Sequence, residues 1–182
     1  MRKLKLAMYV SIDGVVENPG WTGPFWNDEL ARLQQDYLFA SDALVLGRVT
    51  YEGFAAAWPT MTETGAFGEK MNSMPKFVAS HSLDSAEWNA TILPKGDVVA
   101  EVGRLKDQSG SDLLIYGSGT LVEELSRAGV IDEYRLMVHP VIVGSGRRLL
   151  SQQQPLLNLR VANSVVTGTG VAVLTYNRPA DA

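Results

Sequence analysis

Two short stretches hold the residues best suited to chemistry, and in both the chemistry is the binding of phosphate. The first is Leu113–Leu125 (LLIYGSGTLVEEL), an apolar run, then Gly117-Ser118-Gly119, then a stretch with helical spacing through Thr120 and Leu121. A strand that enters a helix through small residues leaves backbone N–H groups unpaired at the positive end of the helix dipole, and an anion binds there. The second is Gly47-Arg48-Val49-Thr50, between the apolar Ala43–Leu46 and a helix predicted over Tyr51–Trp58 that Pro59 stops. Arg48 and Thr50 add a charged fork and a hydroxyl to the free N–H groups of that helix start. Arg48 has an alternative use, tying down a neighbouring carboxylate, but two such junctions in one chain favour phosphate. A third apolar run, Lys76–Ser80, ends in Ser80-His81-Ser82. Hydroxyls at that end suit a phosphate or a ribose, and His81 is either a phosphate donor or a solvated loop histidine.

Other chemistries are excluded by what the chain lacks. It has 182 residues and no cysteine, so disulfides, thiolate nucleophiles and cysteine-held metals are absent. Its two histidines, His81 and His139, are far apart, and no metal site is expected. The net charge is −4 with Lys and Arg dispersed, which does not fit a nucleic-acid partner. The apolar run of the N-terminus is short and broken by Ser11 and Asp13, so it reads as a strand rather than a signal peptide. With no apolar run of membrane-crossing length, no membrane partner and a cytoplasmic location are expected. Around Gly117 the dinucleotide fingerprint G-x-G-x-x-G fails, because Val122 stands at its third glycine. No Gly-Lys-Ser/Thr of a P-loop and no G-x-S-x-G occurs.

The elements that must position these turns follow from periodicity. Leu4–Val16 reads as a first strand, nearly continuous in apolar character, which suits a strand buried on both faces; Asp13-Gly14 marks a bend. Asn18–Phe25 is a Pro/Gly loop carrying Trp21, with Trp26 just beyond; its aromatics either cover a ligand or plug the core edge. Asn27–Ser41 is a predicted helix, with Asn27 as N-cap, Asp28 and Glu29 in the first turn, and Leu30, Leu33, Tyr37 and Leu38 as its buried stripe. Thr60–Pro75 is expected to be irregular, and Val98–Gln108 a polar helix. Glu133–Val143 is a strand broken at His139-Pro140, and Gly144–Leu150 a tight loop with Arg147 and Arg148. Those arginines could meet a substrate phosphate, but loop or subunit-contact charges are the plainer reading. Leu159–Val166 and Val171–Tyr176 pair across Thr167–Gly170 as a closing hairpin. The expected fold is one α/β domain over residues 1–182, a mixed central sheet flanked by helices, parallel early and antiparallel at its C-terminal edge.

Taken together, SIDGVVE, LGRVTYEGF, KFVAS, LLIYGSGTLVEEL and DEYRLMVHPVIVGSGRRLL, in that order, resemble the dihydrofolate reductase superfamily. They are most similar to the branch containing the C-terminal reductase domain of the riboflavin-biosynthesis deaminase/reductase, and the resemblance covers nearly the whole chain. It implies a three-layer α/β/α fold, NADPH as cofactor and hydride transfer to a small molecule. Gly47, Arg48, Val49 and Thr50 would hold the 2′-phosphoadenosine side, with Ser80 and His81 beside it. Gly117, Ser118, Gly119, Thr120 and Leu121 would hold the pyrophosphate, with a cis bond at Gly117–Ser118, and Ile12 and Asp13 would sit beside the nicotinamide. Tyr9, Trp26, Tyr51 and Phe54 would line the substrate. The acid that folate enzymes carry on their first helix falls on Ala31, and Asp28 is the candidate substitute. The resemblance therefore favours a nitrogen heterocycle or its ribosyl derivative, as in the aminouracil reductase of riboflavin biosynthesis. Dihydrofolate reduction through Asp28, or nucleotide binding without catalysis, are the alternatives. A homodimer is implied as well.

Overall fold

A computed structural model describes residues 1–150 and 154–179. The chain runs β1 (Leu4–Ser11), α1 (Asp28–Phe39), β2 (Ser41–Gly47), α2 (Arg48–Ala57), α3 (Gly65–Ser73), β3 (Lys76–Ala79), β4 (Ala90–Ile92) and α4 (Val98–Asp107). It continues through β5 (Asp112–Tyr116), α5 (Gly119–Arg127), β6 (Glu133–His139), β7 (Arg160–Val166) and β8 (Ala172–Asn177). Short 3-10 turns occupy Pro19–Phe25 and Trp58–Thr60. The strands form one sheet in the order β4-β3-β2-β5-β1-β6-β8-β7. Pairing is parallel from β4 to β6 and antiparallel at β6–β8 and β8–β7.

The central strands are apolar on consecutive residues because both faces are covered. From β1, β2 and β5, one face sends Leu4, Leu6, Ala43, Val45, Leu113 and Ile115 against Val102 and Leu105 of α4 and Leu121, Val122 and Leu125 of α5. The other face sends Ala7, Leu44, Leu46 and Leu114 against Leu30, Tyr37 and Leu38 of α1, Tyr51 of α2 and Met71 of α3. The result is the expected three-layer α/β/α arrangement with an antiparallel C-terminal hairpin.

Three local expectations are corrected. The first strand ends at Ser11 rather than Val16, because Gly14, at φ 83°, closes a tight turn in which its N–H reaches the Ser11 carbonyl. The strand expected to run to Val143 ends at His139, where Pro140 has no N–H to donate. The segment expected to be irregular contains α3, whose Met71 is packed beneath the sheet; its glycines and polar residues conceal a short amphipathic turn.

Lys76 on β3 is completely buried, with its ammonium 3.9 Å from the Trp88 ring centre and donating to the Asn72 carbonyl at 3.0 Å. Burial lowers its pKa from 10.5 to about 8. Between those values the unfolded chain binds the proton that the folded chain has released, so this group makes stability rise with pH across the interval. Lys76→Met should flatten that rise, read as the urea midpoint against pH; an unchanged slope would show that another group causes it.

Candidate active site

The connections after β2 and β5 leave the sheet on opposite faces, since α2 packs on one and α5 on the other. Adjacent parallel strands whose helices diverge leave a crevice at their carboxyl ends, where α/β sheets bind ligands. A cavity of about 1430 Å³ lies there, bounded by both turns, α1, α3 and the Leu93–Val98 segment. Single-ligand pockets run to roughly 1,000 Å³, so this one has room for a cofactor with a substrate.

The two turns are joined to each other. Ser118 Oγ accepts from the Gly47 N–H at 2.8 Å and donates to Thr50 Oγ1 at 2.8 Å. A Cβ on Gly47 would overlap Ser118 Oγ, so only glycine admits this contact. Ser118 is the residue before α5, yet its hydroxyl is spent across the crevice rather than capping its own helix. Gly47 precedes α2 and has no side chain to cap with. By contrast, Asn27 caps α1 and Asp97 caps α4 through side-chain oxygens. The N–H groups at the starts of α2 and α5 therefore keep their donors for a ligand, with both dipoles toward one cavity.

The expected cis bond at Gly117–Ser118 is not found, and no peptide among the described residues is cis. The chain turns instead through two successive left-handed residues, Gly117 at φ 78° and Ser118 at φ 79°. The second of these is strained for a residue with a Cβ, and strain of this kind concentrates at ligand sites.

Of the expected cofactor residues, Gly47, Arg48, Val49, Thr50, Ser80, His81 and Gly117 through Leu121 all line the cavity. Ile12 and Asp13 do not. The turn after β1 carries Ile12 into solvent, at 62% exposure. The Asp13 carboxylate is used for structure, accepting from Ser11 Oγ at 2.7 Å and from the N–H groups of Val143 (3.0 Å) and Gly144 (2.9 Å). Those bonds, that of Ser11 first, hold its pKa down to about 2. Of the expected substrate residues, Tyr9, Trp26 and Phe54 line the cavity. Tyr51 does not, because it is buried on the far side of α2, where its hydroxyl bonds the backbone of Glu87. Asp28 is exposed and outside the lining.

Two further sets of residues line the cavity: Arg147, expected either to meet a substrate phosphate or to be a loop charge, and residues of α1 of which the sequence had singled out only Ala31. Arg147 reaches over the start of α5, donating to Thr120 Oγ1 at 3.0 Å and to Glu123 at 2.8 Å. Its guanidinium lies so close to Gly119 that a Cβ there would overlap Nε. The second set is on α1, which presents Ala31, Gln34 and Gln35 to the cavity. Gln34 was detectable as the polar residue at i+4 from Leu30 within an otherwise apolar stripe.

Comparison with known proteins agrees with this geometry. The sequence profile of the RibD C-terminal domain matches residues 2–173. The chain belongs to the RibD C-terminal domain family. Within reach of this RibD-type domain is the uncharacterized protein YyaP of Bacillus subtilis, 25% identical over 179 residues, covering 97% of this chain and 95% of the relative. Among solved structures it is similar to a Thermotoga maritima diaminohydroxyphosphoribosylaminopyrimidine deaminase/5-amino-6-(5-phosphoribosylamino)uracil reductase. That match has a TM-score of 0.68 at 13% identity, over 98% of this chain and 57% of the other. It is also similar to the dihydrofolate reductase of Enterococcus faecalis complexed with NADP(H), with a TM-score of 0.65 at 16% identity, over 97% and 96% of the two chains. The RibD-type domain thus has the dihydrofolate-reductase-like fold. No helix of the described residues is long and apolar enough to cross a membrane.

Proposed function

We propose that this RibD-type domain is an NADPH-dependent reductase of a small nitrogen heterocycle or its ribosyl derivative. The observation that carries the proposal is the pair of uncapped helix starts, α2 and α5, tied by Ser118 and facing one cavity. The residues fit the cofactor: two sets of free N–H donors are spaced along one crevice, and Arg48 stands at the start of one of them. In this reading Arg48, Thr50, Ser80 and His81 hold the 2′-phosphate and adenosine end. Gly117, Ser118, Gly119, Thr120 and Leu121 hold the pyrophosphate, with Arg147 above them. The cofactor when bound supplies the hydride. The chain supplies placement, and Tyr9, Trp26 and Phe54 enclose the acceptor ring and exclude water. Burial raises the pKa of Tyr9 and of Tyr116 from a phenol value already above neutral, so both remain O–H donors into alkaline solution. Dihydrofolate reduction through Asp28 is disfavoured, because α1 turns no carboxylate into the cavity.

The domain contains four tryptophans, and Trp26 and Trp58 line the cavity. Titration with NADPH should therefore quench tryptophan emission and sensitise nicotinamide emission; absence of binding overturns the proposal. Consumption of NADPH with an aminouracil, and not with dihydrofolate, is the expected second result. Binding without consumption of NADPH with either ring would favour a nucleotide-binding protein. We also propose a homodimer through the outer hairpin, where every residue of β7 is exposed and Val161 and Val166 are 63% and 70% accessible. Light scattering on Val161→Lys should show monomer if this edge is the contact.

A further inference from the structure

We propose that Gln34, with Tyr9 and Tyr116, selects the substrate ring, and that the set selects an uncharged edge carrying N–H beside C=O over a protonated amidine edge. This rests on the cavity being the substrate site of a reductase and deepens that reading.

Gln34 is only 5% exposed, yet it lines the cavity. One end of its amide is spent, Nε2 donating to the Tyr9 hydroxyl at 2.7 Å. The other end, Oε1, is buried without a partner, and so is the hydroxyl of Tyr116, which lines the same cavity. A buried polar group left unpaired gives up its bonds to water and gains none in return. Two at one cavity wall mark the place where a ligand supplies the missing bonds. The free valences have a definite sense. Gln34 Oε1 accepts only. Tyr9, whose oxygen already accepts from Gln34, has its own O–H left to donate, and Tyr116 has an O–H to donate. One acceptor beside two donors matches a ring N–H flanked by carbonyl oxygen, the edge of a lactam or imide.

The same wall is unsuited to a cation. A protonated amidine ring needs a carboxylate for its paired N–H groups, and α1 offers Ala31, Gln34 and Gln35. The two carboxylates that line the cavity belong to its other side. Glu17 accepts from the Arg147 backbone at 3.1 Å, and Glu124 is on α5. Behind Gln34, the Arg135 guanidinium lies 3.2 Å from the Tyr37 ring centre and donates to the Leu33 carbonyl at 2.9 Å, and the neighbouring Glu133 and Asp36 carboxylates act on this guanidinium rather than lining the cavity.

The test compares two rings with one skeleton, lumazine (pteridine-2,4-dione) and 2,4-diaminopteridine. Binding to the NADPH-loaded protein is followed by calorimetry at mildly acidic pH, where the diamino ring is protonated. Lumazine should bind at least about tenfold more tightly, the factor one well-placed hydrogen bond supplies. Gln34→Leu should remove that preference, and Gln34→Glu should reverse it. Tyr116→Phe, which deletes one hydroxyl at constant shape, should weaken lumazine alone and serves if the Gln34 variants do not fold. Preference of the unaltered protein for the diamino ring overturns the proposal, as does binding of neither ring. Unchanged lumazine affinity in both Gln34→Leu and Tyr116→Phe overturns it too. If NADPH does not bind but lumazine does, with dependence on Gln34, the reductase reading falls and this assignment stands.

Discussion

Gly47→Ala should raise the Kd for NADPH by about 100-fold, or about 2.7 kcal/mol, while the protein remains folded. Gly47 has φ −81° and ψ 161°, which alanine adopts freely, so the backbone is not the cause. The cause is contact: the new Cβ would occupy the place of Ser118 Oγ, which now accepts from the Gly47 N–H. Ser118 cannot rotate away without giving up Thr50 Oγ1 as well. The start of α5 must then move away from the start of α2, and the two sets of N–H donors no longer match one ligand. A hydrogen bond to a charged group is worth about 1.5–3 kcal/mol, so misplacing one or two of them accounts for the factor. Energy transfer from tryptophan to bound NADPH measures the loss. A second substitution checks its origin, because Ser118→Gly in the same chain removes both the oxygen and the Cβ that obstruct the new methyl group and should restore part of the affinity. If Gly47→Ala binds NADPH normally, the two turns do not form a single site.

How far the sequence reached depended on whether a feature was local. The turns at Gly47 and Gly117 were legible because a strand, a glycine and a helix are contiguous, and free N–H groups follow from that order alone. The sheet was legible for the same reason: consecutive apolar residues in β1, β2 and β5 require cover on both faces. Features set by distant segments were not legible. Tyr51 and Phe54 stand three apart on α2, and nothing in that spacing says that Glu87 waits for the Tyr51 hydroxyl while Phe54 faces the cavity. Asp13 could have served a ligand, but the N–H groups of residues 143 and 144 reach it across the fold. The bond between Ser118 and Gly47 spans 71 positions, so the joining of the two turns became visible only in three dimensions.

Arg48→Ala should separate NADPH from NADH. Arg48 begins α2 at the cavity wall, and its guanidinium is paired with Glu52 through bonds of 2.9 and 3.1 Å. Both side chains of this pair are nearly half exposed, at 44% and 45%, so the pair itself stabilises the helix only slightly. A doubly charged phosphate at the same helix start competes easily with one carboxylate, because it also takes the N–H groups and the dipole. Loss of the charged fork should raise the Kd for NADPH by about 10- to 100-fold and leave that for NADH nearly unchanged, since NADH has no 2′-phosphate to lose. The dependence of NADPH binding on salt should weaken in the same variant. Glu52→Gln gives the opposite sign: it frees Arg48 from its present partner and should tighten NADPH without affecting NADH. Equal weakening of both cofactors by Arg48→Ala would mean that Arg48 shapes the turn rather than reads the phosphate, and the 2′-phosphate would then have to be placed against Ser80 and His81.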